Sequence, residues 1–253
     1  MKKKILLKLV LILLISSCSK DDTLSNDSIL GCLSEFKETY TVSDCDTSIF
    51  QTDVCEYISL GGYKLEDSSK AYVVLACESL NNESKYVNEE GETITMVISK
   101  KSYKNNKVQY RSNQICDIDS TKVIGYCFNK EVIIIRLSSE SPAIELNITL
   151  ENFRDQESSN PEAIGDVLRI LRRLDSNSYS VGLISILDQG SLDYEKFPGE
   201  EFYPSIEIAG VEYNDIFSFD SSIYPSPKFK YYYSKTLGLV GFIDLNNIAW
   251  RLE

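Results

Sequence analysis

Histidine is absent from all 253 residues. The side chain that most often serves as general base near neutral pH, and most often ligates metals, is therefore missing. Ser-His-Asp sites, Cys-His sites and histidine-dependent zinc sites are excluded with it. No two cysteines stand in a C-x-x-C spacing, so paired thiolate metal sites have no signature either. Beyond Cys127 there is no further cysteine, and after Ile15 no apolar run approaches the ~20 residues a membrane-spanning helix needs. Positive charge is scarce: 26 Lys and Arg stand against 38 Asp and Glu, a formal charge of −12. An acid excess of this size repels phosphate backbones and argues against nucleic acid as a partner.

What is present starts with Lys2, Lys3 and Lys4, followed by the apolar run Leu9–Ile15 and then Ser16, Ser17 and Cys18. A basic stretch, a short apolar stretch and small residues at a cleavage point make an export signal over residues 1–17. Lys8 interrupts the run, which is too short to span a bilayer. The cysteine directly after the small residues resembles a bacterial lipobox. That resemblance implies a diacylglyceryl thioether on Cys18, cleavage before it and acylation of the new N-terminus. Stable anchoring takes about two acyl chains, which such a cysteine carries by itself. Losing Lys2, Lys3, Lys4 and Lys8 lowers the formal charge by four, from −12 to −16, so the lipid, not charge, is the expected hold on the membrane. Lys20, Asp21 and Asp22 are similar to the export signal of Bacteroidetes lipoproteins, which implies the outer face of the outer membrane.

The remaining cysteines are Cys32, Cys45, Cys55, Cys77, Cys116 and Cys127. An even number in an exported chain predicts three disulfides, in any of about 15 connectivities. Residues 18–31 are polar and aperiodic and read as an acylated tether, and residues 32–253 as a β-rich domain with a sub-boundary near 150–165. Residues 32–70 read as an irregular, disulfide-stapled segment, with Gly61-Gly62 as a turn. From Ala71 onward the pattern is β: Ala71–Cys77, a hairpin around Asn88–Gly91, then runs at 108–116, 122–128, 132–137 and 144–150, with a turn at Asn129-Lys130. Residues 160–174 fit a helix by periodicity, but the cluster Asp175–Ser178 and the apolar run after it favour a hairpin of 166–173 with 179–187. Hairpins at Ala209-Gly210 and Ser234–Gly238 and a last strand at 248–252 complete a mainly β fold: an antiparallel curved sheet, sandwich or half-barrel.

The stretch from Ile208 to Phe217, and that from Tyr232 to Asp244 with Trp250 after it, resemble the closing strands of many uncharacterised Bacteroidetes surface lipoproteins. The resemblance implies a fold and an address and carries no active site. Similar closing strands occur in curved half-barrel lipoprotein carriers.

Without histidine, catalysis would have to rest on a carboxylate pair of the glycosidase type, and no motif selects one. Asp117-Ile118-Asp119-Ser120 and Asp44-Cys45-Asp46 offer oxygens to calcium but lack the glycine and terminal glutamate of a calcium loop. They read as solvated turns, and no metal or cofactor is expected. Tyr231, Tyr232 and Tyr233 are consecutive, so Tyr231 and Tyr233 share a face that is a candidate surface for a sugar or a peptide. The expected role is a non-catalytic binding or envelope-interaction module with a protein or glycan partner. A carrier or sensor of an apolar ligand is the alternative, and a carboxylate-dependent hydrolase the third reading.

Overall fold

Segments rich in Val, Ile and Tyr, each with one apolar face to hide, make strands of most of this chain. The computed structural model describes residues 25–38, 53–154, 164–173, 179–187, 200–220 and 229–253. Cys18, Lys20, Asp21, Asp22 and Cys45 lie outside the described residues. The strands are β1 (Val54–Tyr63), β2 (Glu83–Val87), β3 (Thr93–Ile115), β4 (Val123–Glu140), β5 (Ala143–Arg154), β6 (Ile164–Arg173), β7 (Tyr179–Leu187), β8 (Glu200–Ile208), β9 (Val211–Asp220), β10 (Lys230–Ser234), β11 (Gly238–Ile243) and β12 (Ala249–Leu252). They form one sheet in the order β7-β6-β5-β4-β3-β2-β12-β11-β10-β9-β8. Its ladders are antiparallel, except that β1 runs parallel beside the first half of β4.

A sheet this wide cannot stay flat, because the twist of each strand accumulates. Here it curls until its halves face one another. One apolar cluster holds Ile94, Met96 and Ile98 of β3 together with Leu146 and Ile148 of β5 and Phe242 and Trp250 of β11 and β12. Arg172 of β6 lies 3.9 Å from the ring centroid of Phe229, at the entry to β10. Disulfides Cys32–Cys77 and Cys55–Cys116 staple the segment before the sheet, and Cys127 is disulfide-bonded as well. The expected class, an antiparallel curved sheet behind a disulfide-stapled segment, is the observed one.

Several local expectations are corrected. Asn26–Ser34 is an α-helix (α1), not tether: the Ser25 hydroxyl caps it by accepting from the Ser28 amide at 3.2 Å, and Ile29 and Leu33 are buried. Its helical pattern is too short to persist alone; packing and the Cys32–Cys77 bond hold it. Ala71–Cys77 is not a strand. It follows a short helix α2 (Asp67–Lys70) and ends in a tight helical turn, Val74–Cys77, so that Ala71, Val73, Val74 and Ala76 stop one end of the curled sheet. Gly61-Gly62 is no turn but an irregularity within β1, where the register against β4 shifts. Asn129-Lys130 is no turn either: both lie mid-strand in β4, opposite Lys107 and Asn106. The hairpin of 166–173 with 179–187 is present as β6 and β7. β5 and β6 pair without interruption up to Arg154 and Ile164, across the region of the sub-boundary near 150–165.

The turn at Ala209-Gly210 uses positive φ at both residues (+45° and +78°), as a two-residue hairpin requires. This hairpin tip folds over the outer face of the C-terminal strands, where Ile208 and Ile216 form a second cluster with Tyr232 and Val240. The Tyr213 hydroxyl donates to the Leu252 carbonyl at 2.7 Å, and Arg251 Nε donates to the Ala209 carbonyl at 3.2 Å. Gly241 is what admits the tip. A Cβ there would stand 2.6 Å from the Trp250 carbonyl oxygen and 3.1 Å from Ile208 Cγ2. Gly241→Ala is therefore expected to destabilise the fold by about 1–3 kcal/mol, measured as a lower urea midpoint with an unchanged m-value.

Candidate functional site

The aromatic run does not supply the expected surface. Tyr231 and Tyr233 are fully enclosed, and Tyr232 is buried in the second cluster on the opposite face. Alternation along the strand was read correctly, but both faces are covered. The Tyr233 hydroxyl donates to the Tyr72 carbonyl, and burial pushes it above the usual tyrosine range. Tyr231 packs 5.6 Å from Phe219 and 5.1 Å from Phe229, centroid to centroid. These rings are core, and they present nothing to a ligand.

A row of buried polar side chains on three neighbouring strands is the densest concentration of chemistry among the described residues. Glu131 on β4, Asn152 on β5 and Asp166 on β6 are all buried, and each holds one residue of the segment 64–66. Glu131 Oε2 accepts from the Leu65 amide at 3.0 Å, Asp166 Oδ2 accepts from the Glu66 amide at 2.9 Å, and Asn152 Nδ2 donates to the Lys64 carbonyl at 3.3 Å. The row is joined internally. Asn152 Nδ2 donates to Asp166 Oδ1 at 2.7 Å, and the Glu131 amide donates to Asn152 Oδ1 at 3.2 Å. Lys37 Nζ lies 2.9 Å from Glu131 Oε1, with Lys70 Nζ at 4.0 Å from Oε2.

The two acids respond to burial in opposite ways. Burial pushes the Glu131 carboxyl up, but hydrogen bonds from Lys37, Tyr103 and the Leu65 amide outweigh it and hold the group below its usual range. Burial also pushes Asp166 up, and there it prevails over the bonds from Glu66 and Asn152. A raised acid beside a lowered one is the electrostatic pattern of an acid–base pair. Glu131 is only 3 % and Asp166 0 % exposed, and one oxygen of each accepts from a backbone amide while the other accepts from the side chain of Lys37 or Asn152. The nearby Glu151 is likewise matched, with burial opposed by Lys130 and Arg169, which hold it low.

Of the other candidate residues, Asp119 closes a turn, accepting from the Thr121 amide at 3.0 Å and from the Thr121 hydroxyl at 2.6 Å. Asp44, Cys45 and Asp46 lie outside the described residues. No sequence motif marks the aromatic pair at the sheet edge. Phe202 of β8 is 53 % exposed, its ring centroid 5.2 Å from that of Phe217 on β9 at an interplanar angle of 55°. Tyr72 lies 6.0 Å beyond Phe217 at 59°. The signal was available in principle: Phe202 and Phe217 flank the Ala209-Gly210 turn at paired positions.

Comparison with known protein families, with curated proteins and with solved structures found no match to this chain.

Glu131 and Asp166 are expected to make stability depend on pH in opposite senses. Glu131 has a depressed folded value, so its stabilisation is complete above the ordinary carboxyl range and is lost as pH falls through that depressed value. Asp166 has a raised folded value, so it weakens the fold as pH climbs through that value and ceases to do so in acid. Glu131→Gln is expected to lower stability at pH 7 by about 2–3 kcal/mol and to lose less than the wild type between pH 7 and acid. Asp166→Asn is expected to cost less at pH 7 than Glu131→Gln. Urea midpoints across pH check both, and parallel wild-type and Glu131→Gln curves would contradict the assignment.

Proposed function

We propose that the chain is a lipid-anchored lipoprotein on the outer face of the outer membrane, moored through Cys18 and acting as a non-catalytic binding or envelope-interaction module. The observation that carries the second half of this reading is the filled concave face. Phe219, Phe229, Tyr231, Tyr233 and Phe242 of the C-terminal strands meet Leu146, Ile148, Leu168 and Ile170 of β5 and β6 with essentially no exposed surface. Side chains this fully enclosed leave no open groove on that face among the described residues, which counts against a carrier. The acid row, tied to backbone amides, counts against a hydrolase. Binding then falls to the exterior, as suits a module held outside the cell by acyl chains and joined to its partners by contact.

The address rests on the stretch from Lys2 to Cys18, on Lys20, Asp21 and Asp22, and on the resemblance to Bacteroidetes surface lipoproteins. Disulfides fit an oxidising compartment. Protease or a membrane-impermeant label applied to intact cells is expected to reach the protein, and Cys18→Ala is expected to move it out of the membrane fraction. Protection until the outer membrane is opened would overturn the surface reading.

A further inference from the structure

The strand order ends at β8, and among the described residues no strand pairs with its outer edge. An edge of this kind presents unpaired N–H and C=O groups that template another strand. Three features of this one are informative. First, an aromatic row reaches it: Phe202 on β8 stands opposite Phe217 on β9, which stands opposite the buried Tyr233 on β10, so one row of rings runs from the core out to the edge. Second, the Phe202 and Phe217 rings pack directly against each other, 5.2 Å apart at 55°, so the apolar surface offered at the edge is the exposed half of Phe202. A single half-exposed ring on an edge strand pairs with an aromatic or branched aliphatic side chain on the strand beside it. Third, residues 200–220 contain six acids (Glu200, Glu201, Glu207, Glu212, Asp215 and Asp220) and no Lys or Arg. Glu201 and Glu207 are exposed on the edge strand itself, Glu201 with Lys230 Nζ at 3.5 Å and Glu207 with no ion pair among the described residues.

The same residues argue against a second copy of this chain as the occupant. An antiparallel self-pairing centred on Pro204 would set Glu201 against Glu207, and directly opposed like charges destabilise a sheet. Pro204 contributes no N–H to a ladder with a second copy or with any other strand, so the opposed glutamates alone distinguish them. A basic strand meets the opposite situation, with its cations beside glutamates and the Pro204 carbonyl still able to accept.

We propose that the β8 edge docks an extended polypeptide segment in which basic and aliphatic residues alternate, by strand addition, with an aliphatic side chain packed against the exposed ring of Phe202. Main-chain hydrogen bonds supply the affinity of such docking, and alternate side chains supply the choice of sequence. The inference deepens the binding-module reading and rests on it: it names the surface and the chemistry of the partner.

The test uses the full mature protein in non-ionic detergent and a fluorescein-labelled, acetylated Lys-Val-Lys-Val-Lys-Val peptide read by fluorescence anisotropy. Two further probes are the same peptide N-methylated at alternate residues and a neutral chito-oligosaccharide. Saturable peptide binding is expected, weakened roughly tenfold by N-methylation at unchanged charge and about fivefold by Phe202→Ser. Phe202 is half exposed, so its replacement leaves the core intact, and the N-methylated probe needs no change to the protein. Equal binding of both peptides, equal binding by Phe202→Ser, or no saturable binding overturns the proposal. Chito-oligosaccharide binding that depends on Phe202 without peptide binding overturns it in favour of a glycan. Loss of peptide binding in a protein still labelled on intact cells sinks this inference alone, whereas a protein shielded inside the cell removes the reading beneath it.

Discussion

Three side chains that no apolar core would choose, Glu131, Asn152 and Asp166, hold the end of this molecule shut. Each reaches from a different strand to a different residue of the segment 64–66, so the segment is fixed to the sheet across its width. From there the chain runs through Asp67–Lys70 and sends Ala71, Val73, Val74 and Ala76 into the opening. Burying a carboxylate in an apolar setting is costly unless donors surround it. Backbone amides with no other partner are suitable donors, so each group resolves the other's desolvation. The Cys32–Cys77 disulfide then ties α1 onto the same end-stop, with Ile29 and Leu33 beneath it.

The closed end explains why the concave face is full. A sheet curled round on itself leaves either a cavity or a core, and aromatic side chains decide between them because each fills a large volume. Phe229 lies 5.8 Å from Phe242, and Phe242 6.3 Å from Trp250, both pairs nearly parallel, while the Tyr86 hydroxyl is absorbed by the Leu239 carbonyl at 2.9 Å. Tyr86 and Tyr233 behave as large apolar groups whose single polar atom has found a backbone acceptor. With the described interior occupied by its own side chains, the proposed binding role assigns recognition to the rim and the strand edges.

How much of this was legible beforehand depends on whether the deciding interaction is local. The turn at Ala209-Gly210 and the loop Asn88–Gly91 announce themselves, because the residue types needed for the backbone angles sit at the turn itself. The hairpin of β6 with β7 was readable from the turn cluster between two runs. Asn129 and Lys130 misled because polar residues between apolar runs normally mean a turn. Here Lys130 finds Glu151, and Glu131 finds Lys37, partners 21 and 94 positions away. The helix Asn26–Ser34 was missed for a similar reason, since its stability comes from a disulfide and a buried face supplied by distant residues. At the candidate site, period-two alternation correctly put Tyr232 opposite Tyr231 and Tyr233, but alternation cannot say that both faces are covered. Phe202 belongs to no motif: it sits beside Tyr203 just after two glutamates, with nothing local to mark it as a surface residue. Its exposure follows from β8 being the last strand of the sheet, a fact of topology that no short window contains.

The account stands or falls on the interior being occupied by the chain itself. Native mass spectrometry of the purified protein after detergent removal tests this most directly. The mass should equal the polypeptide with its covalent lipid and nothing more. A stoichiometric apolar ligand, retained in the folded protein and released on unfolding, would contradict it and return the curled sheet to the carriers.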